Sequence, residues 1–86
     1  KDSTYFKYCI ERSIILLDEL IKSYEAIPSR DLKKLGSYYG LQAESYMLLK
    51  DIKPACECLN YYIKYWPGTI EYSPKKKTIY RMHCKN

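Results

Sequence analysis

Apolar positions along this chain recur at helical rather than strand spacing. From Tyr5 to about Ala26, Phe6, Ile10, Ile14, Leu17, Ile21 and Tyr24 follow one another at steps of three or four, the repeat of one face of a 3.6-residue helix. Cys9, Leu16 and Leu20 widen that face, so this first helix calls for two neighbours rather than one. Asp2, Ser3 and Thr4 are candidate N-caps. Ile27-Pro28-Ser29 ends the helix, because proline disfavours helical geometry in the residue before it.

A second helical segment is predicted over 30–49, with Ser29 as its cap. Tyr39, Ala43, Tyr46 and Leu49 line one side of it. A third helix over 54–66 carries Ala55, Leu59, Tyr62 and Trp66 on one side. Only Lys50-Asp51-Ile52-Lys53 remains to join them, and so short a link forces an antiparallel hairpin. Gly36 and Gly40 weaken a helix but let a neighbour approach closely. After Pro67-Gly68-Thr69 the pattern shortens. A basic C-terminal segment over 70–86 holds a last short helix from Lys75 to Cys84, with Ile79, Met82 and Cys84 turned inward. No run alternates with period two, so the expected fold is all-α: a single small domain, 1–86, of three to four antiparallel helices.

The hairpin resembles a tetratricopeptide repeat. Anchored on Pro67, Tyr39 takes the first aromatic position and Ala43 the small residue of the first helix. Tyr46 takes the second aromatic position, Ala55 the small residue of the second helix, and Leu59 its large apolar one. Gln42 stands where leucine is usual, and Tyr62 where alanine is usual. The stretch Arg12 to Leu20, then Tyr38 to Pro67, then a basic final helix is also similar in order to the mitochondrial fission adaptor family. That family is a tetratricopeptide-like bundle with a membrane tail that recruits fission machinery to the outer membrane. The resemblance implies a helical bundle that binds a partner helix or peptide through Ser37, Gly40, Glu44, Met47 and Leu48. Any part of the N-terminal stripe left uncovered would join them. The competing expectation is a closed bundle in which the N-terminal helix covers that same face. Gly40 and Glu44 do not supply the Lys/Asn/Arg set by which chaperone-binding repeats grip a terminal carboxylate.

Composition changes this picture in three ways. Eighty-six residues bury only roughly 60% of their unfolded surface, so the domain is expected to be marginal. A chain that begins at Lys1 rather than Met hints at an excised fragment or a processed chain. Eleven tyrosines against one Phe and one Trp suit a thin helical domain whose rings pack while their hydroxyls reach water. The net charge of +5 is uneven: residues 1–66 hold ten Lys/Arg and nine Asp/Glu, whereas residues 67–86 hold five and one. Lys75, Lys76, Lys77, Arg81 and Lys85 therefore form a basic patch. With Tyr72 and Tyr80 to stack on bases, it is a candidate for nucleic acid or an acidic membrane.

Candidate chemistry is sparse. Four cysteines, Cys9, Cys56, Cys58 and Cys84, are expected as free thiols in a reducing compartment, which gives an intracellular, cytoplasmic setting. The alternative is a secreted, disulfide-linked helical protein. Cys56 and Cys58 point to different sides of a helix, and His83-Cys84 are direct neighbours. These are poor metal-ligand spacings. One histidine, no glycine-rich phosphate loop and no carboxylate pair with a reason to share a cleft leave no catalytic or cofactor-binding residue to name. No run reaches the ~20 apolar residues of a membrane span, and no signal peptide is visible. The expected function is thus a non-enzymatic protein-interaction module, an adaptor or scaffold piece.

Overall fold

A computed structural model describes residues 3–85. Asp2, one of the three candidate caps, lies outside them, as do Lys1 and Asn86. Among the described residues the chain is all-helical. The order is α1 (Ser3–Glu25), α2 (Leu32–Leu48), α3 (Ile52–Tyr65), a 3₁₀ turn (Thr69–Tyr72) and α4 (Pro74–Ile79), which widens into a π turn (Tyr80–Cys84).

Helix α2 begins two residues later than the sequence implies, because Asp31 and not Ser29 caps it. The Asp31 carboxylate accepts from the backbone N–H of Lys33 at 3.0 Å and of Lys34 at 3.5 Å, filling two of the donors a helix start leaves open. Tyr24 Oη accepts from Asp31 N at 2.9 Å, which ties the cap to the end of α1. Helix α2 stops at Leu48, and Lys50, two residues on, is the non-glycine residue with positive φ (60°). Asp51 N donates to Tyr46 O and Lys50 N to Met47 O, both at 2.9 Å. This is the Schellman pattern, with lysine where glycine is usual. The link is therefore three residues long, Leu49 to Asp51, and α2 and α3 lie antiparallel.

Their interface holds the core. Leu35, Ala43, Ala55 and Leu59 are fully buried, with Cys58, Tyr62 and Ile70 nearly so. Alanine on both helices lets the backbones close in, and Leu59 fills the space beside them. Two polar residues are buried in α2, and both meet α1. Gln42 Nε2 donates to Ile14 O at 3.1 Å, its Oε1 accepts from Cys58 Sγ at 3.5 Å, and Ser45 Oγ lies 3.2 Å from Ser13 Oγ. Burial of Gln42 is tolerable because both ends of its amide are bonded.

Helix α1 departs from the expectation of two neighbours. It packs along α2 and only touches the side of α3, so Ile21 is its single buried residue. Phe6 is left 55% exposed, Leu16 55% and Leu20 42%.

The C-terminal segment holds the main surprise. Cys56 of α3 is bonded to Cys84, with Cα atoms 5.3 Å apart, so the expectation of four free thiols is corrected. Cys9 is free and exposed, and Cys58 is free and buried. As the two-residue offset requires, Cys58 turns into the core while Cys56 turns to the returning chain. The π turn changes the register of the last helix. Lys85 N donates to Tyr80 O, five residues back, and the wider coil points Cys84 at α3 and leaves Met82 69% exposed. Met82 is therefore not the inward residue that an α-helical reading gives.

Candidate functional site

The five groove positions do not share one open surface. A Cβ added at Gly40 would stand 2.8 Å from Tyr62 Cδ1 and 3.3 Å from Lys76 Cε, so this residue is a closure point between helices and not part of a groove floor. Tyr62, large where a repeat usually has alanine, fills the room that Gly40 leaves. Glu44 is paired with Lys76 Nζ, whose ammonium also lies 5.4 Å from the Tyr62 ring centroid. The cover over Gly40 and Glu44 thus comes from Tyr62 of α3 and Lys76 of α4 and not from the N-terminal helix. Ser37 is half-buried and donates to Lys34 O at 2.7 Å. Met47 is half-buried, and Leu48 is 50% exposed.

The open surface lies on the other flank of α2. Ala43 packs in the α3 interface and Tyr46 packs against it. Leu41 and Leu48 each stand two residues from one of these, which is ~200° around a helix, so both point away from α3. Helix α1 repeats the arrangement. Its α3 side is marked by Glu25, whose Oε2 accepts from Tyr39 Oη at 2.9 Å beside Tyr61 of α3, and by Asp18, which lies two turns before Glu25 on the same line. Leu16 and Leu20 are two residues either side of Asp18 and face away. Leu16, Leu20, Leu41 and Leu48, 42 to 55% exposed, consequently make one apolar band across α1 and α2. The sequence stripe included Leu16 and Leu20 but assigned them to a core. Leu41 escaped notice because it lies off the buried face of α2.

The basic patch is partly spent. Lys76 pairs with Glu44 and Lys77 with Glu71, and the Lys77 contact lowers the Glu71 pKa, with Arg81 adding to the effect. Lys75, Arg81 and Lys85 stay exposed. Arg81 and Lys85 edge an open depression of about 400 Å³ that Ile63, Ile70, Glu71, Lys77 and Tyr80 complete. Tyr72 is 89% exposed and Tyr80 half-buried. No group of three or more His, Cys, Asp or Glu side chains that could hold a metal ion comes together among the described residues, and no helix among them is long and apolar enough to cross a membrane.

Cys58, which is buried, and Tyr39, which is partly so, carry a pH dependence. Burial, then Glu57 and Asp18, pushes the Cys58 thiol from 9.0 up to about 11. Burial, then the hydrogen bond to Glu25, raises Tyr39 well above its usual 10.0. Both folded-state values lie above the unfolded ones, so the stabilisation is complete below pH ~9 and is lost as pH rises through the folded values. Melting followed by circular dichroism should give a lower Tm at pH 11 than at pH 8, with a shallower fall in Tyr39→Phe. Equal Tm values at the two pH values would refute this linkage.

No family model, no curated protein and no solved structure matches the chain.

Proposed function

We propose that this chain is a non-enzymatic protein-interaction module, an adaptor or scaffold piece built on a tetratricopeptide-like hairpin. The observation that carries the reading is the leucine band. Four large aliphatic side chains, each about half exposed, lie together on one side of the α1–α2 layer, where a single partner helix can cover them. The hairpin supports the finer fold reading through the fully buried Ala43 and Ala55. The segment order shared with the fission adaptors is in keeping with an adaptor role. The site has moved relative to the sequence expectation: Leu48 stays in it, Met47 falls one turn after Ala43 on the α3 side, and Leu16, Leu20 and Leu41 replace Gly40 and Glu44.

A second reading, an anionic ligand at the basic end, draws on the depression edged by Arg81 and Lys85. It is the weaker one, because two of the five cations already face carboxylates. The bonded Cys56–Cys84 pair supports an oxidising setting over the reducing one that free thiols would suit.

The test compares capture by the intact chain, by Leu41→Glu/Leu48→Glu and by Arg81→Ala/Lys85→Ala. The band reading expects the leucine variant to keep its helical circular dichroism and lose its protein partners, while the basic variant keeps them. The reverse outcome, with binding that falls by orders of magnitude between roughly 50 and 200 mM salt, would transfer the function to the basic end.

A further inference from the structure

The leucine band is self-complementary about a two-fold axis, and this points to its occupant. Arg12 and Glu19 are both exposed and lie on the rim of the band away from α2. They are seven residues apart, two helical turns, so they sit on one line and are too distant to pair with each other. Neither belongs to an ion pair among the described residues. Their midpoint falls beside Leu16. An antiparallel copy of α1 laid across that midpoint would place each arginine against the partner's glutamate, twice, with the two Leu16 side chains between them.

Helix α2 obeys the same axis. The Ser13–Ser45 contact sets the register of α2 on α1 and puts Leu41 within one turn of the level of Leu16. The axis that brings Leu16 to Leu16 therefore brings Leu41 to Leu41. Two helices and one rim were not required to agree on a centre, and they do. Size agrees as well. The two-helix layer is as long as its shorter member, α2, with 17 residues or about 26 Å at ~1.5 Å each, and two helices are ~20 Å wide. That is on the order of 500 Å² per copy, or roughly the 1,000 Å² in total that a specific interface has to reach.

We infer that the band is a homodimer surface, isologous, with α1 and α2 antiparallel on the same helices of a second copy and Arg12 facing the partner's Glu19. This rests on the reading of the band as an interaction surface and names its partner. A closed two-fold contact uses the apolar band once and leaves no open end for further growth. The rim pairs fix orientation more than they add affinity.

Sedimentation equilibrium on the full chain tests it. The wild type should be a reversible dimer. Arg12→Glu places glutamate against the partner's glutamate at both rims, and Glu19→Arg does the same with arginine. Each should raise Kd about tenfold or more. Neither residue is in the core, so both variants should keep the wild-type circular dichroism. An equimolar mixture of the two should then recover association, because in the mixed dimer every rim contact is again of opposite sign. A wild type that stays monomeric to about 1 mM, or a mixture no tighter than its components, overturns self-pairing. The wider reading of the band fails separately, if Leu41→Glu/Leu48→Glu retains every partner captured by the wild type.

Discussion

Leu59→Ala should lower the stability of this domain by about 2–5 kcal/mol, the range for truncating a fully buried leucine. Leu59 has no exposed surface, and its neighbours Ala43, Cys58, Tyr62 and Ile70 are all buried around it. Ala43 and Ala55 already hold the two helices at close approach, so the hairpin has little room to collapse into the void, which favours the upper half of the range. Leu48→Ala removes the same atoms from a half-exposed site and should cost less than about 1 kcal/mol. Urea unfolding of both variants measures the difference. A small domain has only ~5–15 kcal/mol in total, so the first variant should be visibly compromised and the second nearly native. Equal costs would mean that the core is not centred on the α2–α3 hairpin.

Much of this arrangement is legible in the sequence, and the reasons are local. Tyr39, Ala43 and Tyr46 on one segment and Ala55, Leu59 and Tyr62 on the next follow helical spacing, and a short link leaves them one way to pack. The readings that failed depend on contacts far apart in sequence. Gln42 stands where leucine is usual in a repeat, and nothing near it in sequence shows that its amide reaches the Ile14 carbonyl 28 residues earlier. Glu44 reads as a groove residue, yet Lys76 covers it from 32 residues away. Met82 reads as inward because an α-helical period was applied to a segment that turns with the wider π period. The leucine band was hidden for another reason. A stripe that is apolar over a wide arc gives no sign of which part of the arc a neighbour will cover. In α1 only the part through Ile10, Ile14, Leu17, Ile21 and Tyr24 turns to α2.

Breaking the Cys56–Cys84 bond should cost about 3–4 kcal/mol, the chain-entropy value for a loop of this length. The bond closes a separation of 28 residues, which spans most of α3, the 3₁₀ turn, α4 and the π turn. The loss should be local before it is global. Besides this bond, the segment after Pro74 is held by the pairing of Lys76 with Glu44 and by partly buried Ile79 and Tyr80 against the core. An ion pair with Glu44 near the surface contributes little alone. Reduction should therefore release residues 74–85 first and uncover Gly40 and Tyr62, seen as faster amide exchange there while α2 and α3 stay protected. Cys84→Ser should reproduce the effect of a reductant on the wild type, and a reductant should add nothing to it. Thiol titration provides the direct check. Of four cysteines, Cys9 should react in the folded protein, Cys58 only after unfolding, and Cys56 and Cys84 only after reduction. Four reactive thiols in unfolded, unreduced protein would show that the chain carries no such bond, and the C-terminal segment would then be held by its packing alone.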